Sequence, residues 1–116
     1  MDEFISVMKA LSDPGRVRII KLLQGHRLCA REIQRVLGLA QPTVSSHLKI
    51  LEYAGFIEKK RQGSRMIFSL SDGSQSVYVE TMLVELYQWL DDDELLTDMR
   101  RSLAEVTTPL RCSENN

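Results

Sequence analysis

The chain has 116 residues, 43% hydrophobic and 27% charged, a length that suits one hydrophobic core and a balance that excludes a disordered acidic chain, a collagen-like fibre and a mucin-like stalk. No apolar run approaches the roughly 18 residues that span a bilayer, and the start, Met1-Asp2-Glu3, is acidic where a secretory signal is basic, so a cytoplasmic protein without membrane contact is expected. The formal net charge of −1 conceals a split: residues 14–66 hold eleven Lys or Arg against three acids, and residues 67–116 hold three against ten. Such a split suggests a polyanion-binding part joined to a part that avoids the polyanion.

In chain order, Phe4, Ile5, Met8 and Leu11 fall at helical spacing and predict a short amphipathic helix over residues 2–11. Ser12-Asp13-Pro14 then breaks the chain. Asp13 is placed to cap a second helix and Pro14 suits its first position, with Val17, Ile19, Ile20 and Leu23 inward and an end near Gln24-Gly25. A short extended piece around Leu28 precedes a third helix over 30–37, with Ile33, Val36 and Leu37 buried. Gly38-Leu39-Ala40 makes a tight turn into a fourth helix over 41–54, stopped by Gly55. Two short helices joined in this way have the helix-turn-helix layout.

Two β-prone runs, 56–61 and 65–70, flank Gln62-Gly63-Ser64 and predict a hairpin. After a break at 71–74, Val79, Met82, Leu83, Leu86 and Leu90 form one stripe of a helix spanning 76–90, with Tyr87 and Trp89 beside it. Asp91-Asp92-Asp93 is placed to cap a last helix carrying Leu95, Leu96, Met99 and Leu103. The expected fold is therefore mainly α with a small β-hairpin wing.

On a helical wheel for 41–54, Val44, His47, Leu48, Leu51 and Ala54 face one way, while Pro42, Ser45, Ser46, Lys49 and Tyr53 face the other. With Gln41 and Thr43 at its positive end, this second face offers amide and hydroxyl groups that suit base edges in a major groove. The hairpin brings Lys59, Lys60 and Arg61, then Gln62, Ser64 and Arg65, to a tip that suits a phosphate backbone. Arg31 and Arg35, and Arg16 and Arg18 before them, are expected to add phosphate contacts.

Three stretches carry a family likeness: Leu11-Ser12-Asp13-Pro14-Gly15-Arg16-Val17-Arg18-Ile19-Ile20, Gln41-Pro42-Thr43-Val44-Ser45-Ser46-His47-Leu48-Lys49-Ile50-Leu51, and Ala54-Gly55-Phe56-Ile57. Jointly and in this order they resemble the ArsR/SmtB family of winged helix-turn-helix repressors, over roughly residues 3 to 90. The resemblance implies a homodimer built from the first and the long late helix, an inverted-repeat operator in double-stranded DNA, and release on a signal that is often a metal or metalloid ion. On that basis residues 1–106 form one winged-helix domain with terminal dimerisation helices at about 2–11 and 75–104, followed by a flexible tail over 107–116. Phe4, Ile5, Met8, Leu83, Tyr87 and Leu90 are the expected dimer contacts, since apolar groups on two terminal helices suit pairing about a two-fold axis. The DNA contacts expected are Gln41, Pro42, Thr43, Ser45, Ser46, Lys49, Lys60, Arg61, Gln62, Ser64 and Arg65.

The segment Arg27-Leu28-Cys29-Ala30-Arg31-Glu32-Ile33 aligns with the family's metalloid box, in which two cysteines one residue apart bind a trivalent metalloid. Here Arg31 stands in the second cysteine's place, and one thiolate cannot supply a soft trigonal site. The late helix lacks the histidines of the family's zinc sites, and His26-x-x-Cys29 is a weak zinc signal. Cys29 precedes a helix N-terminus between Arg27 and Arg31, which favours its thiolate. Cys29 and Cys112 are thus the candidate sensor thiols, for redox or for a trivalent metalloid held by both; in a reducing compartment they are expected to stay thiols rather than form a structural disulfide. No phosphate loop or nucleophile motif points to an enzyme. The competing reading is a winged-helix protein–protein interaction module without DNA binding.

Overall fold

Helices form where the sequence supplies start and stop residues, and the computed structural model, which describes residues 1–107, orders them as α1 (Asp2–Ala10), α2 (Pro14–Leu22), α3 (Ala30–Leu37) and α4 (Gln41–Ala54). Strand β1 (Leu28–Cys29) lies between α2 and α3. Strands β2 (Ile57–Gln62) and β3 (Arg65–Leu70), then helices α5 (Val77–Leu86) and α6 (Glu94–Thr107), follow α4. Among the described residues, no helix is long and apolar enough to cross a membrane.

The sheet is antiparallel in the order β1-β3-β2, with Leu28 opposite Phe68 and Ile57 opposite Leu70. Leu28, Phe68 and Ile57 are buried, so one face of the sheet closes the core. The rest of that core includes Ile19, Ile20, Ile33, Val44, Leu48 and Leu51 of α2, α3 and α4, with Phe56, Val7 and Val79. Gly38 at φ 69° and Gly55 at φ 96° end α3 and α4 in the left-handed region, where a side chain costs energy. The mainly helical fold with a hairpin wing matches the expectation.

Three local expectations are corrected. Asp13 stands at the N-cap of α2 but makes no capping hydrogen bond; its carboxylate turns to His47, with Oδ2 3.3 Å from Nε2. That pair lacks hydrogen-bond alignment, so the contact is electrostatic at most. Leu95, assigned to the inner side of the last helix, is 50% exposed, while Leu96, Met99 and Leu103 are buried as expected and seat α6 in the core.

The third correction concerns α5, which stops at Leu86 although the apolar stripe runs to Leu90. In a continued helix the Leu86 carbonyl would accept from the Leu90 N–H. Here that carbonyl accepts from Lys21 Nζ at 2.6 Å and from Gln24 Nε2 at 2.9 Å instead. The chain turns away, Leu90 takes φ 66°, and Asp91 reaches Lys21 Nζ at 2.8 Å. Lys21, only 1% exposed, is thus buried with an oxygen-rich partner set. Asp93 then caps α6, accepting from the Leu96 N–H at 2.8 Å.

Candidate nucleic-acid interface

The reading surface begins with the anchoring of α4. Val44, Leu48 and Leu51 bury one side of the helix and fix its rotation. That rotation leaves Gln41, Pro42, Thr43, Ser46, Lys49 and Tyr53 exposed. Its first turn has no side-chain cap, so backbone donors and the positive helix end stay available to an anion or an acceptor. Ser45 departs from the wheel: it is half-buried and lines a 140 Å³ cavity between α3, α4 and the sheet, together with Gln34, Gln41 and Phe68. Its hydroxyl is therefore less accessible than that of Ser46.

His47 sits on the inner side of α4, as expected of a structural histidine. Its Nδ1 accepts from Arg16 Nη1 at 3.4 Å, which leaves Nε2 as the protonated nitrogen facing Asp13. A Cβ at Gly15 would come within 3.0 Å of His47 Nε2, so glycine is what lets α2 start against α4. Arg16 also donates through Nε to the Ala10 carbonyl at 2.8 Å and through Nη2 to the Lys9 carbonyl at 3.0 Å. The expectation that Arg16 contacts phosphate is corrected: it clamps the C-terminus of α1 to the middle of α4. Arg18 is likewise drawn inward, 3.2 Å from Asp93 Oδ2, and it is first this guanidinium, then the Leu96 N–H, that holds the Asp93 carboxyl below the usual carboxylate range. Sequence reasoning missed both clamps because partners 6 and 75 residues away leave no local pattern.

The wing is a two-residue turn, Gly63-Ser64, with Gly63 at φ 66°. Cross-strand partners share a face, so the register sorts its side chains. Lys60 pairs with Ile67 and Gln62 with Arg65 on the outer face, whereas Lys59 pairs with Phe68 and Arg61 with Met66 on the core-side face. Lys60, Arg61, Gln62 and Ser64 are exposed and Arg65 is half-buried. Lys59 leans on Glu52 of α4 at 3.6 Å and ties the wing to the helix. Lys60, Arg61 and Arg65 then supply the positive tip, while Arg35 is exposed on α3.

Cys29 opens α3 at its N-cap position, and its N–H donates to Glu32 Oε1 at 3.0 Å. It pairs with Ile67 on β3, the outer sheet face that Lys60 shares. Cys29 is not a free thiol in the structure, which corrects the expectation of one; that expectation came from the redox poise of a compartment, not from geometry. Thr107, expected to begin the tail, ends α6, and Cys112 and the rest of the tail lie outside the described residues. Among the described residues no three His, Cys, Asp or Glu side chains converge as a metal site, and Glu32 is already engaged by the Cys29 backbone. One sulfur donor does not fit a soft trigonal ion.

The expected dimer contacts divide. Phe4, Ile5 and Tyr87 are exposed, at 40%, 42% and 73%, with Phe4 edge-on to Tyr78 at 5.3 Å between ring centroids. Met8 and Leu83 are partly buried against the protein's own core. Leu90 is 51% exposed but stands in the turn after α5, not on that helix.

The model of the arsR family of bacterial regulatory proteins matches residues 13–59, from the start of α2 into β2. The transcriptional repressor SdpR of Bacillus subtilis is 38% identical over 66 residues, covering 57% of this chain and 73% of that protein. The repressor SmtB of Mycobacterium tuberculosis is 35% identical over 72 residues, or 62% of this chain; the match spans about half of SmtB, 53% of its length. Among solved structures, the homodimeric winged helix-turn-helix DNA-binding domain of Mb0332 from Mycobacterium bovis superposes with a TM-score of 0.63 at 25% identity, covering 73% of this chain and 75% of that one. The chain belongs to the arsR family of bacterial regulatory proteins.

Proposed function

We propose that the protein is a DNA-binding transcriptional repressor that acts as a homodimer on an inverted-repeat operator and leaves it on a signal. The observation that carries this reading is the exposed α4 face, Gln41, Thr43 and Ser46 followed by Lys49, beside the cationic tip formed by Lys60, Arg61 and Arg65. Amides and hydroxyls read base edges, and cations neutralise phosphates whatever the sequence. The exposed Phe4, Ile5 and Tyr87 support pairing, as does the homodimeric state given for Mb0332. A two-fold pair would set its two reading helices roughly 34 Å apart, one duplex turn.

The test compares Gln41→Ala and Ser46→Ala with Arg61→Ala on operator and random duplexes. The α4 variants should lose roughly 1 to 3 kcal/mol of sequence preference per base contact, whereas Arg61→Ala weakens all duplexes alike and lowers the salt dependence. A parent chain that ignores duplex DNA in dilute salt would favour the protein–protein module instead.

A second reading concerns the signal. Cys29 begins the helix that precedes α4, so a change in its bonding acts next to the reading unit. We read Cys29 with Cys112 as the sensing pair. Operator affinity unchanged by dithiothreitol, phenylarsine oxide and polysulfide would remove this reading.

A further inference from the structure

A groove of about 750 Å³ runs between α1 and α4 and shares only Lys49 with the residues assigned to reading or to the wing. Ile5, Lys9 and Arg16 line one bank; Lys49, Ile50 and Tyr53 line the other. Pro42, Ser46, Lys49 and Tyr53 follow one another at helical spacing, so the exposed stripe of α4 continues past Lys49 to its last turn. Tyr53 is 88% exposed and gives the core almost nothing. A phenol held in solvent at the end of a reading helix is well placed to donate to a phosphate oxygen.

Lys9 lines the same groove from α1 and is itself exposed. Its backbone is fixed, because the Lys9 carbonyl accepts from Arg16 Nη2 at 3.0 Å and from Ser12 Oγ at 2.7 Å. Arg16 also touches His47 of α4 at 3.4 Å, so the last turn of α1 is held at a set position against the reading helix. Asp2 also lines the groove, whose cationic side chains are Lys9, Arg16 and Lys49.

We propose that α1 extends the duplex interface, with Lys9 and Tyr53 gripping the phosphodiester backbone on the side of α4 away from the wing. This rests on the DNA-binding reading above. The groove is continuous with the α4 reading face through Lys49, and its lysines match a polyanion. In the proposed homodimer α1 pairs with a second copy through Phe4, so the grip falls over the middle of the operator, between the two half-sites.

The test uses the full chain, its Lys9→Gln and Tyr53→Phe variants, and fluorescence anisotropy on operator and random duplexes from 50 to 300 mM salt, roughly the range over which counterion release is resolved. Lys9→Gln should lower the slope of log affinity against log salt by roughly 0.9 per subunit, about 2 for a homodimer. Tyr53→Phe should weaken both duplexes about three- to tenfold per subunit, the cost of one hydrogen bond each and so about ten- to a hundredfold for a homodimer, and leave the slope unchanged. A parent that shows salt-dependent binding while both variants reproduce its affinity and slope overturns this inference and leaves the DNA reading standing. A parent that does not bind duplex at all overturns both. If the variants instead weaken self-association at constant DNA affinity, a second copy fills the groove and the proposal fails.

Discussion

Replacing Lys21 by Met isolates the polar network that ends α5. Lys21 is 1% exposed, so Met fills nearly the same volume and removes only the ammonium. The Leu86 carbonyl keeps its 2.9 Å bond from Gln24, and Asp91, 52% exposed at its side chain, keeps Arg100 at 3.3 Å and regains water. The loss is therefore one charge-assisted hydrogen bond to a buried carbonyl, together with a half-exposed ion pair to Asp91, rather than a stranded buried ion, about 1.5 to 3 kcal/mol for the buried bond. Against a total of about 5 to 15 kcal/mol for a small domain, that is readily measured by urea unfolding. Hydrogen exchange supplies a second readout. With the ammonium gone, the Leu86 carbonyl becomes available to the Leu90 N–H, so α5 lengthens by a turn and protection at Leu90 rises. Lys21→Met with unchanged stability and unchanged protection at Leu90 would show that some other contact stops α5.

Two further outcomes follow from the same structure. Gly73 is buried at φ 72°, and a Cβ there would lie 2.8 Å from Glu80 Cα, whereas Gly25 at φ 81° has open space around it. In urea titrations Gly25→Ala should thus cost about 1 kcal/mol for conformation alone, and Gly73→Ala about 1 to 3 kcal/mol more for the collision. Asp91 and Asp93 both titrate below the ordinary carboxylate value, Asp91 chiefly through its hydrogen bond from Lys21 and Asp93 chiefly through that from Arg18. A lowered folded value means that the unfolded chain takes up the proton first. The stabilisation is thus complete above about pH 4 and disappears as the pH falls through the lowered values. Urea midpoints measured from pH 6 to 2 should drop over that acid limb, and Asp93→Asn should flatten the drop.

What the sequence discloses is local. Pro14, Pro42, Gly38 and Gly55 mark helix ends through backbone constraints that act on the residue itself, and the observed boundaries fall there. The burial of Val44, Leu48 and Leu51 follows from helical periodicity, which is also why the polar face of α4 was legible. The end of α5 was not legible, because periodicity records which residues can share a helix face and not which carbonyl a distant lysine claims. Ser45 was misplaced for a related reason: a wheel treats the helix as a lone cylinder, while the packing of α3 and the sheet against it decides which flank is covered.

Counting cations carries the same limit, and it changes the electrostatic argument. Arg16, Arg18 and Lys21 belong to the basic stretch that suggested a polyanion, yet each points into the protein's own structure. Two of their partners, Asp91 and Asp93, come from the acidic half, so that half does more than repel a polyanion: it fastens α2 to the turn that separates α5 from α6. The charge split in the sequence is therefore partly an internal complementarity. What remains of it for a duplex is smaller and includes Lys60, Arg61 and Arg65 at the wing, Lys49 on α4 and Arg35 on α3, with Lys9 added from α1 across the groove. Screening acts on these exposed groups far more than on the inward clamps, so salt should loosen the grip on DNA well before it loosens the fold.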